Sequence, residues 1–108
     1  MTYSVREDKI EIIGGGTEWL LSVGYKNRIW QHTFYEVRKN GKIIAIVNLV
    51  WTRDDKKPFL CYYAFDFEPN VKLSSYEKHK IRKLVIEKLH LRNIKRNRRI
   101  VHRVLQDF

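Results

Sequence analysis

The dipeptide Asn40-Gly41 separates two long strand-like runs, Ile29–Lys39 and Lys42–Arg53, and constrains this chain more than any other feature. Asn-Gly suits a type I′ turn, in which both central residues need positive φ and the twist matches that of the flanking strands. A two-residue turn also predicts a register. Lys39 then faces Lys42, Val37 faces Ile44, Tyr35 faces Ile46 and Thr33 faces Asn48. On the other side Phe34 meets Val47, His32 meets Leu49 and Trp30 meets Trp51. Aromatic and β-branched pairs of this kind each contribute up to about 1 kcal/mol.

A third strand is legible downstream. After the charged turn Asp54–Pro58, residues Phe59, Cys61, Tyr63, Phe65 and Phe67 alternate with Leu60, Tyr62, Ala64, Asp66 and Glu68. Period two marks a half-buried strand. The odd-numbered side reads as core, because that many aligned aromatics would leave a large apolar patch if exposed. Upstream, Ile10–Ile13 runs into Gly14-Gly15-Gly16, which reads as a turn leading to a strand over Trp19–Tyr25. A Walker-type phosphate loop is excluded, since the glycines continue into Thr17-Glu18-Trp19 rather than Gly-Lys-Ser/Thr. These segments predict an antiparallel meander of about five strands over residues 3–68.

Pro69-Asn70 ends the sheet, and Ser74-x-x-Glu77 matches a capping box. No Gly or Pro follows, and Leu, Ile, Lys and Arg dominate, which is helical composition. One apolar stripe comprises Ile81, Leu84, Val85, Leu89 and Leu91; a second comprises Ile94, Val101, Val104, Leu105 and Phe108. They fall out of phase across Asn93–Asn97, so residues 74–106 form two helices or one bent helix. The expectation is one α+β domain over residues 1–108, with one sheet face covered by the helical segment. The chain has 108 residues, 44% of them hydrophobic, enough for one core.

Charge is distributed unevenly. Residues 1–71 hold 10 Lys/Arg against 9 Asp/Glu, a net +1, whereas residues 72–108 hold 12 against 3, a net +9. A block of this kind makes a lasting positive field over one part of the surface and raises the expectation of a polyanionic partner. Other classes find little support. The single cysteine, Cys61, allows no intrachain disulfide and no Cys-based zinc cage. His32, His79, His90 and His102 do not fall at metal-ligand spacings. Asp54-Asp55 and Asp66/Glu68 read as turn and strand-end residues rather than a metal site. No nucleophile elbow or kinase motif is present, so no enzyme, cofactor or metal is predicted. The start of the chain is charged and no apolar run reaches membrane-spanning length, so an intracellular, cytoplasmic protein with no membrane role is expected.

The predicted interaction site is the basic helical segment: Arg82, Lys83, Arg92, Lys95, Arg96, Arg98, Arg99 and Arg103. Arginine holds phosphate oxygens through a planar fork, and released counterions would make the affinity salt-dependent. Asn93 and Asn97 could add hydrogen bonds, and Tyr25, Trp30, Tyr35 and Tyr62 are the aromatics available for base stacking. The sequence therefore predicts a non-enzymatic nucleic-acid-binding protein, for DNA or RNA. The alternative is a small phage or mobile-element inhibitor whose basic face occupies an acidic or nucleic-acid-binding surface of a host protein. A homodimer paired through an edge strand, with Phe59–Glu68 as the candidate edge, is a third expectation.

Overall fold

The computed structural model describes residues 9–19, 24–54 and 57–108. Four antiparallel strands run in chain order: β1 (Ile10–Trp19), β2 (Trp30–Lys39), β3 (Lys42–Asp54) and β4 (Lys57–Phe67). Helix α1 (Ser75–Lys88) follows. The two-residue strand β5 (Lys95–Arg96) then adds in parallel beside β4, and helix α2 (Arg98–Leu105) ends the fold. The α+β class holds, with a five-stranded sheet in the order β1-β2-β3-β4-β5. The expected beginning of the sheet near residue 3, and residues 20–23 of the expected strand Trp19–Tyr25, lie outside the described residues.

The Asn40-Gly41 turn forms as the sequence predicts, with φ of 53° and 82°. Asn40 also ties down the start of β1, its Oδ1 accepting from the Lys9 N–H at 3.0 Å. The predicted register survives for only two pairs, Lys39 with Lys42 and Arg38 with Ile43. Val37 then pairs with Ala45 instead of Ile44, and every pair beyond is displaced by one residue, ending with Trp30 opposite Thr52. Ile44 is the extra residue of a β-bulge. Its side chain is buried in the same cluster as Val37 and Ala45.

Two more irregularities correct the sequence reading. The glycine run is no turn: β1 continues through it, and the register shifts between Gly14 and Gly16. The Phe34 ring occupies the space above Gly15, where an added Cβ would come within 2.0 Å of it. In β4 the register shifts at Cys61, so the odd-numbered face is not continuous. Tyr63 and Phe65 are buried in one core cluster, Cys61 packs against a different one, and Phe59 is 45% exposed.

The two helices cover opposite faces of the sheet, where the sequence predicts that one face is covered. Ile81 and Val85 of α1 pack on Val37, Val47, Leu49, Tyr63 and Phe65. Val101 and Val104 of α2 pack on Trp30, Val50 and Ala64. Neighbouring residues such as Leu49/Val50 and Tyr63/Ala64 point to opposite sides of a strand, so these clusters are separate. The phase break across Asn93–Asn97 marks where the chain rounds the β4 edge from one face to the other.

Local chemistry builds that crossing. Ser74 and Glu77 form the predicted capping box at the start of α1. Its end is a Schellman arrangement, in which the Leu91 N–H donates to the Ile86 carbonyl at 2.8 Å and the His90 N–H to Glu87 at 3.4 Å. His90 takes the left-handed position at φ 56°, where glycine is usual. Leu91, fully buried, anchors the turn in the α1-side core. The Asn97 N–H then donates to the Tyr63 carbonyl at 3.0 Å, and the Asn97 side chain caps α2 by accepting from the Ile100 N–H at 3.0 Å.

Candidate nucleic-acid interface

The predicted cationic residues do not lie along a single helix. Lys95 and Arg96 are strand residues of β5, and both are exposed. Arg98 and Arg99 open α2 and are exposed as well. Four cations therefore fall within five residues, Lys95 to Arg99, as the chain rounds the sheet edge. Asn97, the residue between them, serves as the α2 cap, so its side-chain oxygen is engaged in the fold rather than presented to a ligand.

The remaining positions divide by face. Arg82, on α1, is half-buried and its guanidinium lies 5.1 Å from the centroid of the Phe67 ring. Burial lowers its pKa, and the Arg96 charge adds to that lowering, so these two arginines share one electrostatic environment across the β5 edge. Lys83 is exposed on α1 and Arg92 is exposed in the turn before β5. Arg103 projects from α2 over the ring of Tyr25, 5.9 Å from its centroid.

Of the four aromatics considered for stacking, Trp30 is buried, while Tyr35 and Tyr62 pack against the cores on opposite faces. Tyr25 also packs against the α2-side core and is half-buried, and it lines a groove with basic residues. It sits in a 3₁₀ turn, Tyr25–Asn27, held by the Trp30 indole N–H donating to its carbonyl at 2.9 Å. The groove has a volume of about 510 Å³ and is lined by Tyr25, Arg99, Ile100, His102, Arg103 and Gln106.

Beneath α2 runs a polar chain that sequence reasoning missed. His32 on β2 donates from Nε2 to Asn48 Oδ1 at 2.8 Å. Asn48 on β3 donates from Nδ2 to Asp66 Oδ2 at 2.7 Å. Asp66 on β4 also accepts from His102 Nε2 at 2.8 Å and from Arg98 Nε at 3.0 Å. Burial by itself would raise the Asp66 carboxyl, but the hydrogen bonds from His102, Arg98 and Asn48 outweigh it and hold the group below its ordinary value. Asp66 thus stays ionised, and it accounts for Arg98, the one cation of the Lys95–Arg99 run paired with a carboxylate among the described residues. No local pattern linked His32, Asn48 and Asp66, which lie on three different strands.

Cys61 is half-buried, and burial raises its thiol pKa, partly offset by a backbone hydrogen bond at Thr52 and by the Arg28 charge. A raised thiol is a poor nucleophile. Among the described residues no three His, Cys, Asp or Glu side chains are grouped to hold a metal ion, and no helix is long and apolar enough to cross a membrane. The chain defines an α+β fold with a helix on each sheet face and a cationic edge between them. Comparison with protein-family models, curated proteins and solved structures finds no match.

Proposed function

We propose that this protein binds nucleic acid through the cationic surface that rounds the β5 edge and continues onto the outer side of α2. The observation that carries this reading is the run Lys95, Arg96, Arg98 and Arg99, all exposed, with one carboxylate engaged among them. Unpaired cations this close together repel one another, and a row of phosphates relieves that repulsion while releasing its own counterions. Arg103 extends the surface along α2, and Arg82 and Arg92 extend it towards α1. Contacts of this type grip the backbone of the polymer, so sequence selectivity is expected to be weak.

The test is fluorescence anisotropy with labelled single- and double-stranded DNA and RNA, at low and at near-physiological salt. Steeply salt-dependent binding is expected. The informative variant replaces Lys95, Arg96 and Arg99 with Ala and keeps Arg98, whose bond to Asp66 belongs to the docking of α2. It should lower the slope of log affinity against log salt by about 2–3, close to one per lost phosphate contact, with the melting temperature unchanged. Absence of binding at low salt overturns the reading and directs the search to an acidic protein partner for the same surface.

A further inference from the structure

We infer that the groove between the Tyr25 turn and α2 is a nucleotide subsite, and that the polymer it takes is single-stranded. This rests on the nucleic-acid reading and goes further by naming the kind of strand. Among the described residues α1 packs on one face and α2 on the Trp30, Val50 and Ala64 region of the other, so bases stacking there would meet a helix. Bases must be received elsewhere, and the groove has the chemistry for it. At about 510 Å³ it falls within the range of small-ligand clefts. Tyr25 and Ile100 supply an aromatic and an aliphatic wall, Arg99 and Arg103 the charge for a phosphate, and His102 and Gln106 hydrogen-bonding groups for a base edge or sugar. No carboxylate lines it among the described residues.

Two features favour an unpaired base over a duplex. Exposed Arg103 reaches from α2 to within 5.9 Å of the Tyr25 ring centroid, and the two line a concavity. A duplex keeps its base faces stacked inside and cannot offer one to a recessed ring, whereas a single strand can turn a base out onto it. The site is also built before a ligand arrives. Trp30 holds the Tyr25 backbone, and its ring lies 6.2 Å from that of Tyr25. Asp66 holds His102 by accepting from its Nε2. Lys26 Nζ lies over the Tyr25 ring, 5.5 Å from its centroid.

The experiment compares single strands with duplexes of equal length by anisotropy at near-physiological salt, using the wild-type chain and the Tyr25→Leu and Tyr25→Phe variants. Single strands should bind at least about tenfold tighter than duplexes. Tyr25→Leu should lose roughly five- to hundredfold for single strands, the range of one stacked base, with an unchanged salt slope. Tyr25→Phe should retain the affinity. Because Tyr25→Leu could disturb the turn, the unaltered chain is also photocrosslinked to a single strand carrying a 4-thio base. The crosslink should map to Tyr25 or to α2. Duplex binding as tight as single-strand binding, or a crosslink only at α1, overturns the subsite and leaves the cationic surface standing. Failure of every polymer to bind even at low salt overturns both.

Discussion

Asp66 on β4 and His102 on α2, 36 residues apart, meet through the imidazole Nε2, which lies 2.8 Å from one carboxylate oxygen and 3.0 Å from the other. The contact places α2 over the face formed by Trp30, Val50 and Ala64, and it orients the ring that lines the proposed nucleotide groove. Its pH dependence follows from the lowered Asp66 pKa. A carboxyl held lower in the folded than in the unfolded chain contributes stability above the unfolded value of about 4, and loses it as pH falls through the folded value. Asp66→Asn should therefore be less stable than wild type at neutral pH. The gap should close below about pH 4, as read by urea titrations followed through tryptophan fluorescence. A gap independent of pH would show that the Asp66 charge has no part in docking α2.

His90 occupies the left-handed position that ends α1. An L-residue other than glycine pays roughly 1–2 kcal/mol there by steric contact between Cβ and the following carbonyl. His90→Gly should raise stability by up to about 1 kcal/mol, since the gain is partly offset by the greater freedom of glycine in the unfolded chain. A higher urea midpoint with an unchanged slope is the expected reading.

Gly15 is fixed by a ring. An added Cβ falls within 2.0 Å of Phe34, so Gly15→Ala must displace that ring from beside His32, with which it stacks at 5.6 Å. The expected loss is about 1–3 kcal/mol, the usual range for overpacking. Combining it with Phe34→Leu should cost less than the sum of the two single changes, and a double-mutant cycle measures that coupling.

Leu91 lies between α1 and β5 in no regular element, yet it is fully buried. Leu91→Ala should cost about 2–5 kcal/mol, as for a leucine in the middle of a core helix. Hydrogen exchange should speed up at the Asn97 amide, whose bond to the Tyr63 carbonyl holds the crossing in place. Local loss confined to α1 would mean that Leu91 does not anchor the crossing.

Elements whose signals are local can be read from the residues alone. Asn40-Gly41 supplies two residues that tolerate positive φ, Ser74 and Glu77 satisfy each other's backbone donors, and the odd aromatics of β4 keep period two from Tyr63 to Phe67. The concentration of charge after residue 72 was equally legible, because charge needs no partner to be counted. Tertiary packing decided the rest. Strict pairing from the hairpin turn misplaced the register, since the bulge at Ile44 leaves no local signal and displaces every pair beyond it. The glycines read as a turn because their reason is Phe34, on the neighbouring strand. The end of α1 was obscured because histidine holds a position where glycine is the usual signal.

The same division explains the candidate site. Local pattern showed that two apolar stripes fall out of phase, but not that they belong to opposite faces of one sheet. That depends on β5 pairing with β4, a contact between residues more than thirty positions apart. Only then does the basic segment become a cationic edge with Tyr25 facing α2, and only then do His32, Asn48, Asp66 and His102 form one chain. Hydrogen bonds between side chains on separate strands leave no periodicity in the sequence; they exist once the backbone has brought the strands together.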